Sequence, residues 1–312
     1  MRGHASGLAA GMWCAAVVTT TSCAMAPPPA ETARGVDVEA VVEAELDRLV
    51  DEGATRAAIV VLDPETGRVL AASGRGPEGA GEADRVVDMG STIKPLTIAA
   101  ALDAGLDPTQ RFSGEGGAWH PDPATLLRDV HPREWLTAEE VLIHSSNIGA
   151  GKIVEAVGEA PIAAYLAANG VEVPAPTSWP AHGAGIGTTT SPRRLAAAYA
   201  VFANGGQLIE PTTNGRGLSR PVLSPVTARV VVDMLEAAVG DDGTGHRARV
   251  EGVRVAGKTG TTGDGAAVFA GLAPVVSPRY VIVVRAERPD GAWGGLVAAP
   301  SFSRLAATLL AP

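Results

Sequence analysis

The chain has 312 residues, of which 46% are hydrophobic and 19% charged, so it holds enough apolar material for one large core or two small ones. Its net charge is −9 and no basic run offsets the acids, which excludes nucleic acid binding by phosphate neutralisation. The two cysteines, Cys14 and Cys23, both lie in an apolar N-terminal stretch. A disulfide framework or thiolate metal cluster is therefore excluded from the rest of the chain, and we expect no metal and no cofactor.

Residues 1–26 contain an apolar run from Leu8 to Val18, which is typical of a secretory signal and short for a membrane span. Ala24-Met25-Ala26 resembles a signal peptidase site, and Ser22-Cys23 resembles the end of a lipoprotein signal. Cleavage, lipidation at Cys23 and an uncleaved membrane anchor all stay open. We predict export to the cell envelope; the alternative is a cytosolic protein with a disordered apolar start.

After a linker over 27–35, the predicted elements form one domain over 36–312. The first is a helix over 36–52 with an apolar stripe made of Val38, Val41, Val42, Leu49 and Val50. A β-hairpin over 57–73 comes next, with its turn at Pro64–Gly67. A helix over 91–104 and a helix-rich middle to about Phe202 follow, and then an amphipathic helix over 224–239. The last part of the chain contains strand-like runs over 253–259, 266–274 and 279–287 and a helix over 300–312. Strands at both ends with helices between them predict an α+β fold whose sheet joins distant segments.

Lysine is scarce in this chain: Lys94, Lys152 and Lys258 are three among 25 basic residues. A genome that favours arginine explains the general scarcity, but not why lysine persists at particular places. Lysine can lose its proton when it is buried or crowded by cations, whereas arginine in practice cannot. Lys94 and Lys258 are therefore candidates for chemistry. Lys152 fits no motif, and we interpret it as a solvent-facing helix residue.

The first of three short motifs is Ser91-Thr92-Ile93-Lys94. Because Pro95 follows, and proline is tolerated only in the first helical turn, the helix is expected to begin near Ser91. Residues three apart share a helix face, which brings the Lys94 amine within reach of the Ser91 hydroxyl. An unprotonated lysine there can act as general base and create a nucleophile. The alternative is a capped helix with a surface lysine.

The second motif, Ser145-Ser146-Asn147, lies between two predicted helices. A hydroxyl and an amide two residues apart on such a loop can point into one cleft. There Ser145 can relay a proton and Asn147 can hold a substrate amide. The alternative is an N-cap for the second helix, which Ser146 or Asn147 would supply.

The third motif is Lys258-Thr259-Gly260-Thr261. Strand alternation predicts Lys258 and Gly260 on one face and Thr259 and Thr261 on the other. Glycine lets a ligand backbone approach the strand closely, and lysine beside threonine suits a carboxylate.

The same stretch also fits a competing pattern. Residues 252–259 match G-x-x-x-x-G-K-[ST], the phosphate-binding loop of nucleotide hydrolases, and the apolar run ending at Asp63 resembles their metal-binding strand. That loop should follow an apolar strand and open a helix. Here a polar segment precedes it, a glycine-rich turn follows it, and Asp63 comes before the loop instead of after it. The context therefore argues against nucleotide hydrolysis.

In this order the three motifs are the signature of penicillin-binding proteins and class A β-lactamases. The chain resembles the transpeptidase domain of class B penicillin-binding proteins over roughly residues 36–310. Segments with counterparts in that family are 88–102, 129–153, 185–206, 256–262, 269–284 and 294–302. The resemblance implies a five-stranded antiparallel sheet flanked by helices, a mostly helical subdomain, and an active site between them.

The resemblance also implies a role for each residue of the first two motifs. Ser91 would attack the carbonyl before the terminal D-alanine of a peptidoglycan stem peptide, and Lys94 would take its proton. Ser145 would pass a proton to the leaving D-alanine, and Asn147 would orient the substrate amide.

In the third motif, Lys258 would lend positive potential, while Thr259 and Thr261 would meet the terminal carboxylate beside Gly260. The backbone N–H groups of Ser91 and Thr261 would form the oxyanion hole. Partners implied by this chemistry are peptidoglycan stem peptides and, as covalent inhibitors, β-lactams.

Two departures from the family pattern are expected: no large N-terminal dimerisation or pedestal region, and a trimmed substrate-facing loop at about 170–184. The predicted function is a peptidoglycan D,D-transpeptidase. A D,D-carboxypeptidase and a serine β-lactamase stay open as alternatives, although the Glu-and-Asn pattern of class A β-lactamases finds no clear match after the second motif. The alternative of another class is a non-catalytic envelope sensor or scaffold.

Overall fold

The computed structural model describes Met1, residues 36–174 and residues 178–311. Apart from Met1, the predicted signal or anchor over 1–26 and the linker over 27–35 lie outside the described residues, as does part of the 170–184 loop. The helices within the described ranges are α1 (Val38–Asp51), α2 (Lys94–Asp103), α3 (Ala138–His144), α4 (Asn147–Val157), α5 (Glu159–Ala168), α6 (Trp179–Gly183), α7 (Pro192–Ala203), α8 (Pro225–Ala237) and α9 (Ala298–Leu309).

The strands comprise one central sheet and several short pairs. In chain order they are β1 (Arg56–Leu62), β2 (Val69–Arg75), β3 (Val87–Asp88), β4 (Phe112–Ser113), β5 (Ala118–Asp122), β6 (Thr125–Arg128), β7 (Trp135–Leu136), β8 (Thr189–Thr190), β9 (Gln207–Ile209), β10 (Ser219–Pro221), β11 (Ala256–Thr261), β12 (Ala266–Ala273) and β13 (Tyr280–Glu287).

Side-chain caps and prolines determine where several helices begin. Ser191 and Ser224 each accept a hydrogen bond from a backbone N–H three residues on, and a proline follows each in the first turn, where its missing N–H costs nothing. Thr137 and Glu140 form a reciprocal capping box at the start of α3. These local signals place α3, α7 and α8 without help from the rest of the chain.

The central sheet is antiparallel, in the order β11-β12-β13-β1-β2. In the chain, β1 and β2 come from the start of the domain, whereas β11, β12 and β13 come from its end. Along β13, Val281 and Val283 face one hydrophobic cluster while Ile282 and Val284 face the other. Both faces of the sheet are therefore buried.

Helices cover the two faces unequally. α1 and α9 pack on one face, while α7 and α8 pack on the other. α2 packs against α8 and contacts the helical region formed by α3, α4 and α5. The predicted α+β fold, with a five-stranded antiparallel sheet, flanking helices and a mostly helical subdomain, is confirmed. None of the helices within 36–174 and 178–311 has both the length and the apolar composition that a membrane span requires.

Three local expectations can be compared with the structure. The hairpin over 57–73 is confirmed, since β1 and β2 flank the Pro64–Gly67 turn. The stripe on α1 is wrong at Val50, which is exposed, because a neighbour of buried Leu49 is rotated by about 100° around the helix. The strand expected from Val253 begins only at Ala256, because a turn precedes it.

Candidate active site

Ser91 lies on a 3₁₀ turn, Gly90–Ile93, that leads directly into the α-helix beginning at Lys94. The expectation that the α-helix itself begins near Ser91 is therefore wrong by one turn. Pro95 occupies the first turn of α2, as expected, and the residues before it wind more tightly. Residues three apart in a 3₁₀ turn are eclipsed, so the expected pairing still forms: Lys94 Nζ lies 2.5 Å from Ser91 Oγ.

Buried side chains hold this turn from behind. The Tyr199 hydroxyl of α7 donates to the backbone carbonyl of Thr92 at 2.8 Å, and the Thr92 hydroxyl donates to the carbonyl of Met89 at 2.7 Å. Burial raises the pKa of Tyr199 well above its usual value, so its hydroxyl stays protonated and able to donate. The serine thus stands on a rigid part of the fold, as a nucleophile requires.

The three residues of the second motif have different positions. Ser145 ends α3 in the left-handed region with a φ of 57°, which is uncommon for a residue other than glycine. Ser146 is the N-cap of α4, and its hydroxyl accepts from the Gly149 N–H at 2.8 Å. Asn147 opens α4, and its side-chain oxygen accepts from Lys94 Nζ at 2.7 Å. The capping interpretation is therefore correct for Ser146 alone, while Ser145 and Asn147 contact the lysines.

Asp129 is a residue of this site that is not among the predicted ones. Its carboxylate accepts from the Ser146 hydroxyl at 2.6 Å and from the backbone N–H groups of Asn147 and Ile148 at 2.6 and 3.1 Å. It thereby binds the start of α4, where free N–H groups favour negative charge. Asp129 follows β6, well before the motif in sequence, and no local pattern marks it.

The third motif lies on β11, an edge strand of the central sheet. Lys258 Nζ donates to Ser145 Oγ at 2.8 Å and to the backbone carbonyl of Thr259 at 3.1 Å. The strand continues through Thr259 to Thr261 and then turns, so no helix begins there. Residues 252–259 therefore do not form a phosphate-binding loop.

Alternation along β11 follows the prediction. Lys258 and Gly260 pair with residues of β12 that face the cluster around α2, whereas Thr259 pairs with Phe269, which faces the cluster around α9. The Thr259 hydroxyl donates to the hydroxyl of Thr244 at 2.8 Å. Thr261 is exposed, and its hydroxyl accepts from the Gly294 N–H at 3.2 Å.

Two glycines allow the nucleophile turn to lie directly against β11. Gly90 has a φ of 55°, and a Cβ there would stand 2.7 Å from the carbonyl oxygen of Thr261. At Gly260, a Cβ would stand 2.6 Å from the carbonyl oxygen of Met89. Any larger residue at either position would separate the two elements. The backbone on either side of Ser91 and that of Thr261 are thus neighbours.

The amines and the hydroxyls of the site differ in exposure. Lys94 and Lys258 are both 0% exposed, whereas Ser91, Ser145 and Asn147 are partly accessible. Burial lowers the pKa of Lys94 to about 7, against the opposing charge of Asp129. Burial, and then the neighbouring Lys94, lower the pKa of Lys258 well below its usual value. No carboxylate of the described residues forms a hydrogen bond or ion pair with either amine.

The structure therefore brings the predicted groups together. The Lys94 amine hydrogen-bonds to Ser91 and Asn147, and the Lys258 amine of β11 hydrogen-bonds to Ser145. The second motif thus supplies one acceptor to each lysine, and these two acceptors are two residues apart in the chain. The remaining lysine differs from expectation. Lys152 is mostly buried, with its amine 4.0 Å from the centre of the Trp119 ring and 3.2 Å from Glu115.

A sequence model of the family described as "Penicillin binding protein transpeptidase domain" matches residues 57–307. The chain is 35% identical to a probable peptidoglycan D,D-transpeptidase, PbpC, of Pseudomonas aeruginosa, over 70% of this chain and 45% of that protein. It is 28% identical to a probable peptidoglycan D,D-transpeptidase, PenA, of Neisseria gonorrhoeae, over 86% of this chain and 54% of that protein. The chain spans about half the length of these curated relatives.

Solved structures show the same likeness. The TP domain of penicillin-binding protein 3 from Burkholderia pseudomallei is similar with a TM-score of 0.78 and 30% identity, covering 88% of this chain and 93% of that one. The family match contains all three motifs and most of the described residues. This chain accordingly belongs to the penicillin-binding protein transpeptidase domain family.

Proposed function

We propose that this protein is a peptidoglycan D,D-transpeptidase that forms an acyl-enzyme on Ser91. The observation that carries the proposal is the 2.5 Å contact between Ser91 Oγ and the fully buried amine of Lys94. A buried amine with a lowered pKa is neutral in a large fraction of molecules near pH 7, and a neutral amine is the base that a serine nucleophile needs. The relatives PbpC and PenA carry the same activity in their names.

In the first half-reaction, Ser91 Oγ attacks the carbonyl carbon before the terminal D-alanine while Lys94 takes the hydroxyl proton. The N–H groups of Ser91 and Thr261 stabilise the oxyanion. When the C–N bond breaks, the leaving nitrogen needs one proton, and the Ser145 hydroxyl relays the one that Lys94 has taken. Asn147 orients the substrate amide. In the second half-reaction the amine of another stem peptide attacks the ester and restores Ser91.

The terminal carboxylate of the substrate binds, in this proposal, at the exposed end of β11. Lys258 supplies positive potential, and its amine has no carboxylate partner among the described residues, so an arriving anion would raise its pKa. The exposed Thr261 hydroxyl is one proposed donor beside Gly260. The Thr259 hydroxyl, which donates to Thr244 here, is proposed to donate to the carboxylate instead when substrate binds. β-Lactams carry a similar carboxylate and are proposed to acylate Ser91 as covalent inhibitors.

Labelling with a fluorescent penicillin tests the nucleophile. The wild-type protein is expected to be labelled. Ser91→Ala is expected to lose all labelling because, within 36–174 and 178–311, no other hydroxyl hydrogen-bonds to the Lys94 amine. Ser219→Ala, an exposed serine on β10, is the control that should label normally. Labelling of Ser91→Ala at the wild-type level would contradict the assignment.

The lifetime of the adduct separates a transpeptidase from a β-lactamase. Hydrolysis requires a base that activates water on the acyl-enzyme. No carboxylate within the described residues hydrogen-bonds to Ser91. The Asp129 carboxylate already accepts hydrogen bonds from the Ser146 hydroxyl and from backbone N–H groups at the start of α4. We therefore expect the penicilloyl adduct to last for hours by intact-protein mass measurement. Rapid loss of the adduct with drug turnover would instead identify a β-lactamase.

The pH dependence of acylation follows from Lys94. The protonated amine cannot accept the serine proton, so the acylation rate should rise with pH and level off above the pKa of Lys94. Because burial lowers that pKa to about 7, the midpoint is expected near pH 7. Stopped-flow measurement of the acylation rate at a series of pH values, from acid to alkaline, gives this midpoint. A midpoint near the ordinary lysine value of 10.5 would show that the amine is not desolvated.

We further propose that residues 36–312 form the transpeptidase domain and that residues 1–26 direct the chain to the cell envelope, where peptidoglycan is made. Intact mass of the mature protein from cell fractions tests this. A start after residue 26 indicates cleavage, a lipid-sized increment on Cys23 indicates a lipoprotein, and an unprocessed chain in the membrane fraction indicates an anchor. An unprocessed chain found only in the cytosol would contradict export.

A further inference from the structure

Arg285 is a charged residue buried in the central sheet, near the end that carries the site. It is 3% exposed and lies on β13 opposite Val268 of β12, which in turn lies opposite Gly260 of β11. Residues directly opposite one another in a sheet share a face, so Arg285 and Gly260 are on the same face, with Lys258 one row away. A buried guanidinium costs far more than the valines that precede it, so it calls for specific partners.

The partners of Arg285 are two carboxylates, one at the end of β13 and one in the turn between β11 and β12. Its guanidinium donates to Glu287 at 2.5 Å and to Asp264 at 3.1 Å. Asp264 lies in the turn 262–265, which directly follows the third motif and joins β11 to β12. The Thr262 hydroxyl donates to Asp264 as well, so the carboxylate also orders the turn itself.

A further carboxylate, that of Asp88, lies three residues before the nucleophile Ser91. Asp88 accepts from the Gly90 N–H at 2.6 Å and so shapes the turn immediately before Ser91. Burial raises the pKa of Asp88, the nearby charge of Asp264 raises it further, and Arg285 lowers it. The turns that precede Ser91 and follow Thr261 thus each carry an acid, and the two acids repel each other in the absence of a cation.

We propose that Arg285 is a positioning residue for the oxyanion hole: it pairs with Asp264, offsets the repulsion between Asp264 and Asp88, and thereby keeps the 88–90 turn against β11. The contact it maintains is close, since the Thr261 carbonyl oxygen would lie 2.7 Å from a Cβ at Gly90. The Ser91 N–H directly follows the 88–90 turn, and the Thr261 N–H lies at the end of β11. The two proposed oxyanion donors therefore lie on opposite sides of this contact. This inference rests on the proposed function, because it concerns the geometry of that oxyanion hole.

The first test replaces Arg285 by methionine, which keeps an unbranched apolar stem and removes the charged guanidinium. Stopped-flow acylation by a penicillin separates the rate at saturation from the half-saturating concentration. Misplaced oxyanion donors act on the transition state, so the saturating rate should fall by about tenfold or more while the half-saturating concentration changes little. Arg285→Lys keeps the charge but replaces the planar fork of donors by a shorter ammonium, and its rate should be intermediate.

The second test asks whether repulsion is the cause. Adding Asp264→Asn to Arg285→Met removes one of the two facing charges and should restore part of the lost rate, whereas simple loss of packing would not be rescued. Arg304→Met is the matched control, since Arg304 pairs with buried Glu45 between α1 and α9. It should lower the melting temperature without changing the acylation rate.

Wild-type acylation by both Arg285 variants, or no gain from Asp264→Asn, would overturn the inference. If Arg285→Met does not fold, the same comparison is made with Arg285→Gln, which also removes the charge, alone and with Asp264→Asn added. Failure of the proposed function looks different, because then the wild-type protein itself would not be acylated at Ser91.

Discussion

Replacing Lys94 by arginine is expected to lower the rate of penicillin acylation by about 10³-fold or more, which is the range for loss of a general base. Arginine keeps the positive charge and has a similar length, but its guanidinium does not release its proton in proteins. It therefore cannot take the proton of Ser91, although it can still contact Asn147. The measurement is the acylation rate at saturating penicillin, by stopped flow or quenched labelling.

Lys152, the lysine that lies outside the three motifs, provides a matched control. Lys152→Arg makes the same chemical change on α4, and arginine can keep both the contact with the Trp119 ring and the ion pair with Glu115. It should acylate at the wild-type rate. Substantial acylation of Lys94→Arg would refute the role of Lys94 as base and would require another proton acceptor beside Ser91.

Asp129→Ala is expected to have the second largest effect, on both stability and acylation. It removes the hydrogen bonds to the Ser146 hydroxyl and to the N–H groups of Asn147 and Ile148. Loss of a charged group at a helix start costs about 2 kcal/mol in the free energy of unfolding. Because Asn147 contacts Lys94, its displacement should also slow acylation by about tenfold or more.

The pH profile adds a second readout for the same variant. The charge of Asp129 favours the protonated form of Lys94, so its removal should lower the pKa of Lys94 further. The midpoint of the acylation profile should then move to lower pH. An unchanged midpoint would mean that the carboxylate acts only on helix α4.

Asp122→Ala is the control for a general loss of stability. Asp122 ends β5 and, like Asp129, accepts hydrogen bonds from two backbone N–H groups and one serine hydroxyl, in this case Ser178. It lies outside the three motifs. We expect Asp122→Ala to leave the acylation rate and its pH midpoint unchanged. A loss equal to that of Asp129→Ala would show that the antiparallel pair of β5 and β6 as a whole, and not Asp129, supports the site.

Features that depend on neighbours in the chain were predictable from the sequence. The pairing of Ser91 with Lys94 follows from their spacing, and it survives the correction from an α-helical to a 3₁₀ turn because both geometries place residues three apart on one side. Alternation on β11 follows from the strand period in the same way. An N-cap for α4 at Ser146 or Asn147 was also predictable, although only the structure decides that Ser146 is the cap.

Features that depend on long-range contact were not predictable. Thr244 and Thr259 meet although they lie on different elements, and Arg285 meets Asp264 across the sheet. The left-handed conformation of Ser145 is likewise imposed by its surroundings, since serine has no preference for it.

The amino-acid order alone determined which residue types carry the chemistry, in what sequence they occur, and that the sheet must combine both ends of the domain. The tertiary structure alone decided how strongly that chemistry is tuned. An ammonium loses its proton near neutral pH only when surrounding elements exclude water from it. The burial of Lys94 and Lys258 arises where α2 packs against α4 and the Gly90–Ile93 turn packs against β11. Desolvation is a property of packed segments, and no local pattern in the chain expresses it.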